Sequence, residues 1–191
     1  MDVSGFIFWG VIAVALFYIV SIYNGLVTLK HSVSKALANI DVLLKQRHDE
    51  LPKLVETCKQ YMKFEQETLE NVMKARSSVA SAQQQGDIPG LGKAEGAMRL
   101  GLGSLFAVAE AYPDLKADGT FQHLQARITG LENEIADRRE FYNESVNNNN
   151  VRIEQFPDLF IARMFNFKSH DLLEFAVQEK TDVNLSQLFD K

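Results

Sequence analysis

Between positions 39 and 49 the sequence sets Asn39, Asp41, Arg47, His48 and Asp49 among apolar residues that recur every three or four places. Arg47 falls one heptad after Ile40, so its aliphatic stem can lie along a core while its guanidinium seeks a carboxylate such as Asp41. Two roles fit this group: an ion pair inside the protein that sets the register of its helices, or a docking patch for a protein partner. His48 stands beside the apolar stripe, where a hydrogen-bonded structural histidine is a commoner outcome than a metal ligand.

Other chemistry is ruled out position by position. Cys58 is the single cysteine and lies in phase with the apolar stripe, which predicts a buried thiol and excludes an intrachain disulfide or a cysteine-built metal site. A di-iron helical bundle needs Glu-x-x-His pairs, and none of His31, His48, His123 or His170 has a carboxylate three residues before it. The run from Asp87 to Ala94 resembles a phosphate-cradling loop, but Asp87 stands where the first Gly belongs and Ala94 where the Mg-binding hydroxyl belongs. A dinucleotide fingerprint fails because Glu95 replaces its last Gly, and no serine has the strand-turn-helix context of a nucleophile. The expectation is a chain with no catalytic residue, no cofactor, no metal and no small-molecule substrate. A net charge of -5 also argues against nucleic acid as a partner.

These residues ride on one long element. From Tyr23 to Ala82 the apolar positions Leu26, Leu29, Val33, Leu37, Ile40, Leu44, Leu51, Leu54, Cys58, Met62, Leu69 and Val72 trace the stripe of an amphipathic helix. Pro52 is the breaker within it, and either a kink or a tight turn capped by Asp49 would accommodate it. Before this stretch, Gly5 to Ile22 carries no charge and, at about 1.5 Å per residue, can cross most of a hydrocarbon core. Ala13-Val14-Ala15 mimics a signal-peptide cleavage site, yet no Lys or Arg precedes the apolar run, so the expectation is an uncleaved single-pass anchor in the cell membrane. Asp2 before the span and Lys30 and Lys35 after it put the main domain in the cytoplasm by the positive-inside tendency.

Downstream, the polar and then Pro/Gly-rich loop from Gln83 to Gly92 precedes a helix over 93–111, whose small residues predict close backbone packing. A third long helix, 121–156, places Phe121, Leu124, Ile128, Leu131, Ile135, Tyr142, Val146, Ile153 and Phe156 on one seam. Asn147 to Asn150 should interrupt it, and Asn149, in core phase, needs a hydrogen-bond partner. After Pro157 the segment holding Phe160, Phe165 and Phe167 forms one or two helical turns that either cap the bundle or meet a membrane surface. The resulting division is an anchor over 1–22, a helical bundle over 23–177 and a polar tail over 178–191. No strand-like alternation of period two persists in the sequence.

The sequence resembles the LemA family over nearly its whole length. The resemblance is carried by Tyr23-Asn24 with Leu26-Val27 and Leu29, by Ala38-Asn39-Ile40-Asp41-Val42 with Leu44-Lys45 and Arg47-His48-Asp49, and by Pro52 with Leu54-Val55-Glu56-Thr57 and Ala75-Arg76. It continues through Ala111-Tyr112-Pro113-Asp114-Leu115-Lys116, Glu132, Ile135-Ala136, Tyr142-Asn143 and Phe156-Pro157. The chain departs from it at Leu37, where relatives commonly carry Trp, and at Asn149, where they commonly carry Tyr. The resemblance implies an all-α protein: one N-terminal transmembrane helix, then an antiparallel up-and-down bundle of about four helices with no catalytic residues. Some members look like lipoproteins, which would place their domains outside the cytoplasm, against the charge rule above. Taken together, the expected function is a membrane-anchored scaffold binding other membrane or envelope proteins, or further copies of itself. The alternative is a lipid-binding or membrane-remodelling module using the late aromatic segment.

Overall fold

The computed structural model describes residues 3–174; the expected polar tail from 178 to 191 lies outside them. Every regular element among the described residues is a helix: α1 (Val3–Tyr61), α2 (Gln66–Gln85), α3 (Ile88–Ala109), α4 (Pro113–Ala117), α5 (Gly119–Glu154) and α6 (Asp158–Met164). The chain divides into two compact units, and α1 and α5 each contribute to both.

One unit holds α1 from Leu43, then α2, α3, α4 and α5 up to Glu134, joined by the chain from Leu173. Its long helices run up and down. Gln46 of α1 accepts from Arg127 of α5 at 3.0 Å while Tyr61, farther along α1, donates to Asp118 just before α5, so the two helices are antiparallel. The core comes from the expected stripes of α1, α2 and α5, where Leu44, Leu51, Leu54, Cys58, Leu69, Val72, Phe121, Leu124, Ile128 and Leu131 are all buried, and from Met98, Leu102 and Leu105 of α3, which are buried with them. Burying each such large side chain contributes about 1.5–3 kcal/mol, the gain that offsets ordering the backbone.

Helix α1 passes through Pro52 without ending. A proline supplies no N–H to the carbonyl four residues earlier, here that of His48. Arg76 of α2 donates its Nε to this oxygen at 2.9 Å and takes the place of the missing bond. The reversal expected at Pro52 as one option falls instead at Met62 to Glu65, a stretch with neither Gly nor Pro, where Phe64 stands 92% exposed. Turning there lets Leu69 and Val72 pack back into the core, a tertiary gain that overrides local helix propensity.

Two further corrections concern helix starts and interruptions. Helix α3 begins at Ile88 and not near Lys93, because the carboxylate of Asp87 accepts from the Gly90 N–H at 2.9 Å and Pro89 suits the first turn. Helix α5 runs unbroken through Asn147 to Asn150 and ends at Glu154, so Phe156 lies beyond it and is 80% exposed, off the core seam.

The other unit holds α1 up to Val42, α5 from Ile135, α6 and the chain to Leu172. Ile22 and Leu26 pack against Ile153, Ile161 and Ala162, with Phe167 laid on this cluster. Ahead of Ile22, α1 carries an apolar stretch long enough to cross a membrane, with exposed side chains such as Phe6, Val11 and Phe17. Helix α6 closes with Asn166 at a φ of 56°, the Phe167 N–H reaching Ala162 O at 2.9 Å and the Asn166 N–H reaching Arg163 O at 3.3 Å. This left-handed cap turns the chain back along α5, and asparagine is the residue after glycine that tolerates it best.

Candidate functional site

The heptad that leads from Ile40 to Arg47 carries the guanidinium into the interior, where residues Arg47 and Glu95 are each 1% exposed. Arg47 Nη1 donates to Glu95 Oε2 at 3.0 Å, Nη2 donates to Glu95 Oε1, and Nη1 also reaches Glu132 of α5, whose other oxygen faces Arg99 at 3.7 Å. The expected partner, Asp41, stands six residues earlier, about 120° away around the helix at roughly 100° per residue, so carboxylates from other helices meet the head instead. Burial opposes charge on both partners. For Arg47 the two carboxylates outweigh it and hold the guanidinium above its ordinary value, whereas desolvation keeps the Glu95 carboxyl above the usual range despite Arg47. The group joins α1, α3 and α5 through two ion pairs on one guanidinium.

The remaining members of the polar group point elsewhere. Asn39 is exposed and Asp41 half-buried. Asp49 is exposed and accepts from Lys45 at 2.9 Å. His48 is half-buried; burial first, then Arg76 and Lys45, push its imidazole below the ordinary value, which favours the neutral ring. The residues sequence reasoning missed are Glu95 and Glu132. Glu95 falls on the buried seam of Leu91, Met98 and Leu102, and a lone carboxylate on such a seam calls for a buried cation.

The late aromatics divide into two sets. Phe160 is 62% and Phe165 50% exposed, whereas Phe167 is half-buried against the cluster of Ile22 and Leu26. Tyr23, the residue after the apolar span, lies 4.7 Å from Phe165 and 5.9 Å from Phe167 between ring centroids. Phe156 and Phe160 meet edge to face at 5.9 Å. An aromatic edge therefore stands at the end of the span.

Asn149 finds the hydrogen-bond partner its core phase requires, and Asn150 beside it makes two further bonds to the backbone. Asn150 accepts from the His170 N–H and donates to the His170 carbonyl, both at 2.9 Å, and buried Asn149 donates to Lys168 O at 3.3 Å. With the Tyr142 hydroxyl on Asp171 O at 2.9 Å, they bind the extended chain after α6 to α5 as side-chain substitutes for a strand partner.

Over 88% of its length the chain is 24% identical to magnetosome protein MamQ 2 of Paramagnetospirillum magneticum, covering 71% of that protein. It is 23% identical to magnetosome protein MamQ of Magnetospirillum gryphiswaldense, with the same coverage. Over 96% of its length it is 26% identical to protein LemA of Metamycoplasma hominis, covering 84% of that protein. Residues 36–186 match the family model for the LemA family, and the chain belongs to that family.

Proposed function

We propose that this chain is a single-pass, membrane-anchored scaffold without catalytic activity, whose helical domain holds other membrane or envelope proteins, or further copies of itself, beside the bilayer. The observation that carries this reading is α1 itself: one helix without a break bears the exposed apolar span and, from Ile22 onward, the buried stripe of the domain. No flexible linker follows the span, so the cluster built on Ile22 and Leu26 is held close to the membrane plane. The buried polar group supports the non-catalytic part, because the Arg47 guanidinium is paired with both Glu95 and Glu132. Lys30 and Lys35, following the span, favour a cytoplasmic domain. Protease treatment of intact and opened spheroplasts tests the side: digestion of the domain in intact spheroplasts overturns it. Crosslinking in native membranes tests the scaffold, which requires adducts with neighbouring proteins.

The exposure of Phe156 and Phe160, and of Phe165 beside Tyr23, favours a second reading, contact of α6 with the membrane surface. Tyrosine concentrates at that depth because its ring is apolar and its hydroxyl polar, and exposed phenylalanines gain by burying their rings at the boundary between headgroups and acyl chains. A nitroxide at position 160 of the full chain in vesicles should report interfacial depth; a label fully in water would dismiss this reading.

A further inference from the structure

Just past the aromatic edge, α1 becomes basic at Lys30 and His31. The asparagine clamp on α5 brings Lys168 and His170 to the same place from the chain after α6. These four residues, with Tyr23 and Phe165 on the wall toward the span, line a cavity of about 560 Å³, and among the described residues lining it none is acidic. Lys30 follows Ile22 by eight positions, about 12 Å along a helix, and helical side chains lean toward the N-terminus, here toward the bilayer. A lysine stem covers the remaining distance to the headgroup layer.

Building on the membrane-surface reading of α6, we propose that this cavity receives the phosphodiester headgroup of an anionic phospholipid. Lys30 and Lys168 supply paired cations, His31 and His170 supply ring N–H donors, and the Tyr23–Phe165 wall lines the path along which the acyl chains leave toward the exposed span. The chemistry of the pocket is that of any phosphate ester. Its position distinguishes the source: an apolar aromatic wall at the end of a membrane-crossing stretch is useless to a free ion and fits a lipid.

The test is native mass spectrometry of the full chain in uncharged detergent with phosphatidylglycerol, phosphatidylcholine or inorganic phosphate added in parallel. Phosphatidylglycerol should be retained about tenfold over phosphatidylcholine, Lys30→Gln with Lys168→Gln should remove that preference, and Lys30→Arg with Lys168→Arg should keep it. Equal retention of the two lipids, an unchanged preference in the glutamine pair, or displacement of the lipid by millimolar inorganic phosphate would overturn the proposal. Should the glutamine pair lose helicity by circular dichroism, each exposed lysine changed singly to glutamine should still lower the preference by about threefold. The nitroxide at position 160 separates the two layers of the argument. A label at interfacial depth without lipid preference removes the pocket alone, whereas a label in water removes the membrane-surface reading as well.

Discussion

The Nε of Arg76 donates to the carbonyl oxygen of His48 at 2.9 Å, and His48 is the residue whose carbonyl Pro52 leaves without an intrahelical donor. Helix α2 thus repairs a defect in α1, and the repair explains how α1 keeps a proline in its interior. Replacing Arg76 by Ala should lower stability by about 1.5–3 kcal/mol, the range for a hydrogen bond that involves a charged group. In a Pro52→Ala background the new N–H can take that carbonyl, so the same change should cost clearly less. A double-mutant cycle by denaturant unfolding reads the difference.

Arg47 makes the stronger case for coupling. Arg47→Met leaves the Glu95 carboxylate buried without its cation, and the expected loss is about 3–5 kcal/mol. Combining Arg47→Met with Glu95→Met removes both charges and should recover most of that loss. A double variant as unstable as the single one would show that packing, and not the uncompensated charge, sets the effect.

Asp118 ties acid stability to one helix start. Its carboxylate accepts from the Phe121 N–H at 2.8 Å and from the Tyr61 hydroxyl at 3.2 Å, and these bonds, the backbone one first, lower its pKa from the ordinary 3.8. A group depressed in the folded state stabilises fully above the unfolded value and loses that contribution as pH falls through the folded value. Asp118→Asn should therefore melt below wild type at pH 6, and the gap should close below about pH 4 as the wild-type carboxyl protonates.

Two glycines of α3 should respond in opposite directions. A Cβ on Gly92 would fall 2.0 Å from the Glu174 carbonyl oxygen, a backbone atom that cannot swing away, whereas a Cβ on Gly103 meets nothing within 4 Å. Gly92→Ala should destabilise by about 1–3 kcal/mol through overpacking. Gly103→Ala should stabilise by about 0.5–1 kcal/mol through helix propensity. Thermal melts of the two variants side by side suffice.

How far the sequence speaks differs by element. The seams of α1 and α5 were legible because periodicity records burial directly: every beat from Ile40 through Leu44, Arg47, Leu51, Leu54 and Cys58 is buried. The seam of α5 misled only at Phe156, where the apolar beat continues after the helix has ended. The turn at Met62 to Glu65 left no Gly or Pro to read; its trace is the polar pair Glu65–Gln66 where an apolar beat was due, and packing of α2 decides it. Arg47 was placed in the core by its heptad, but its partners lie on α3 and α5, and helical spacing on α1 alone has no access to them. Asn149 was seen to need a partner; that its neighbour Asn150 would grip the chain at His170 depends on the left-handed turn at Asn166.

The claim on which the functional account rests is that the domain works by holding neighbours at the membrane. It is tested most directly by photo-crosslinking in native membranes, with a photoreactive residue placed singly at the exposed positions Val42, Leu100 and Phe141 of the full chain. The account predicts discrete adducts heavier than the monomer, recurring at particular positions and absent at others. Monomer alone at every position, from protein that remains in the membrane fraction, would contradict it.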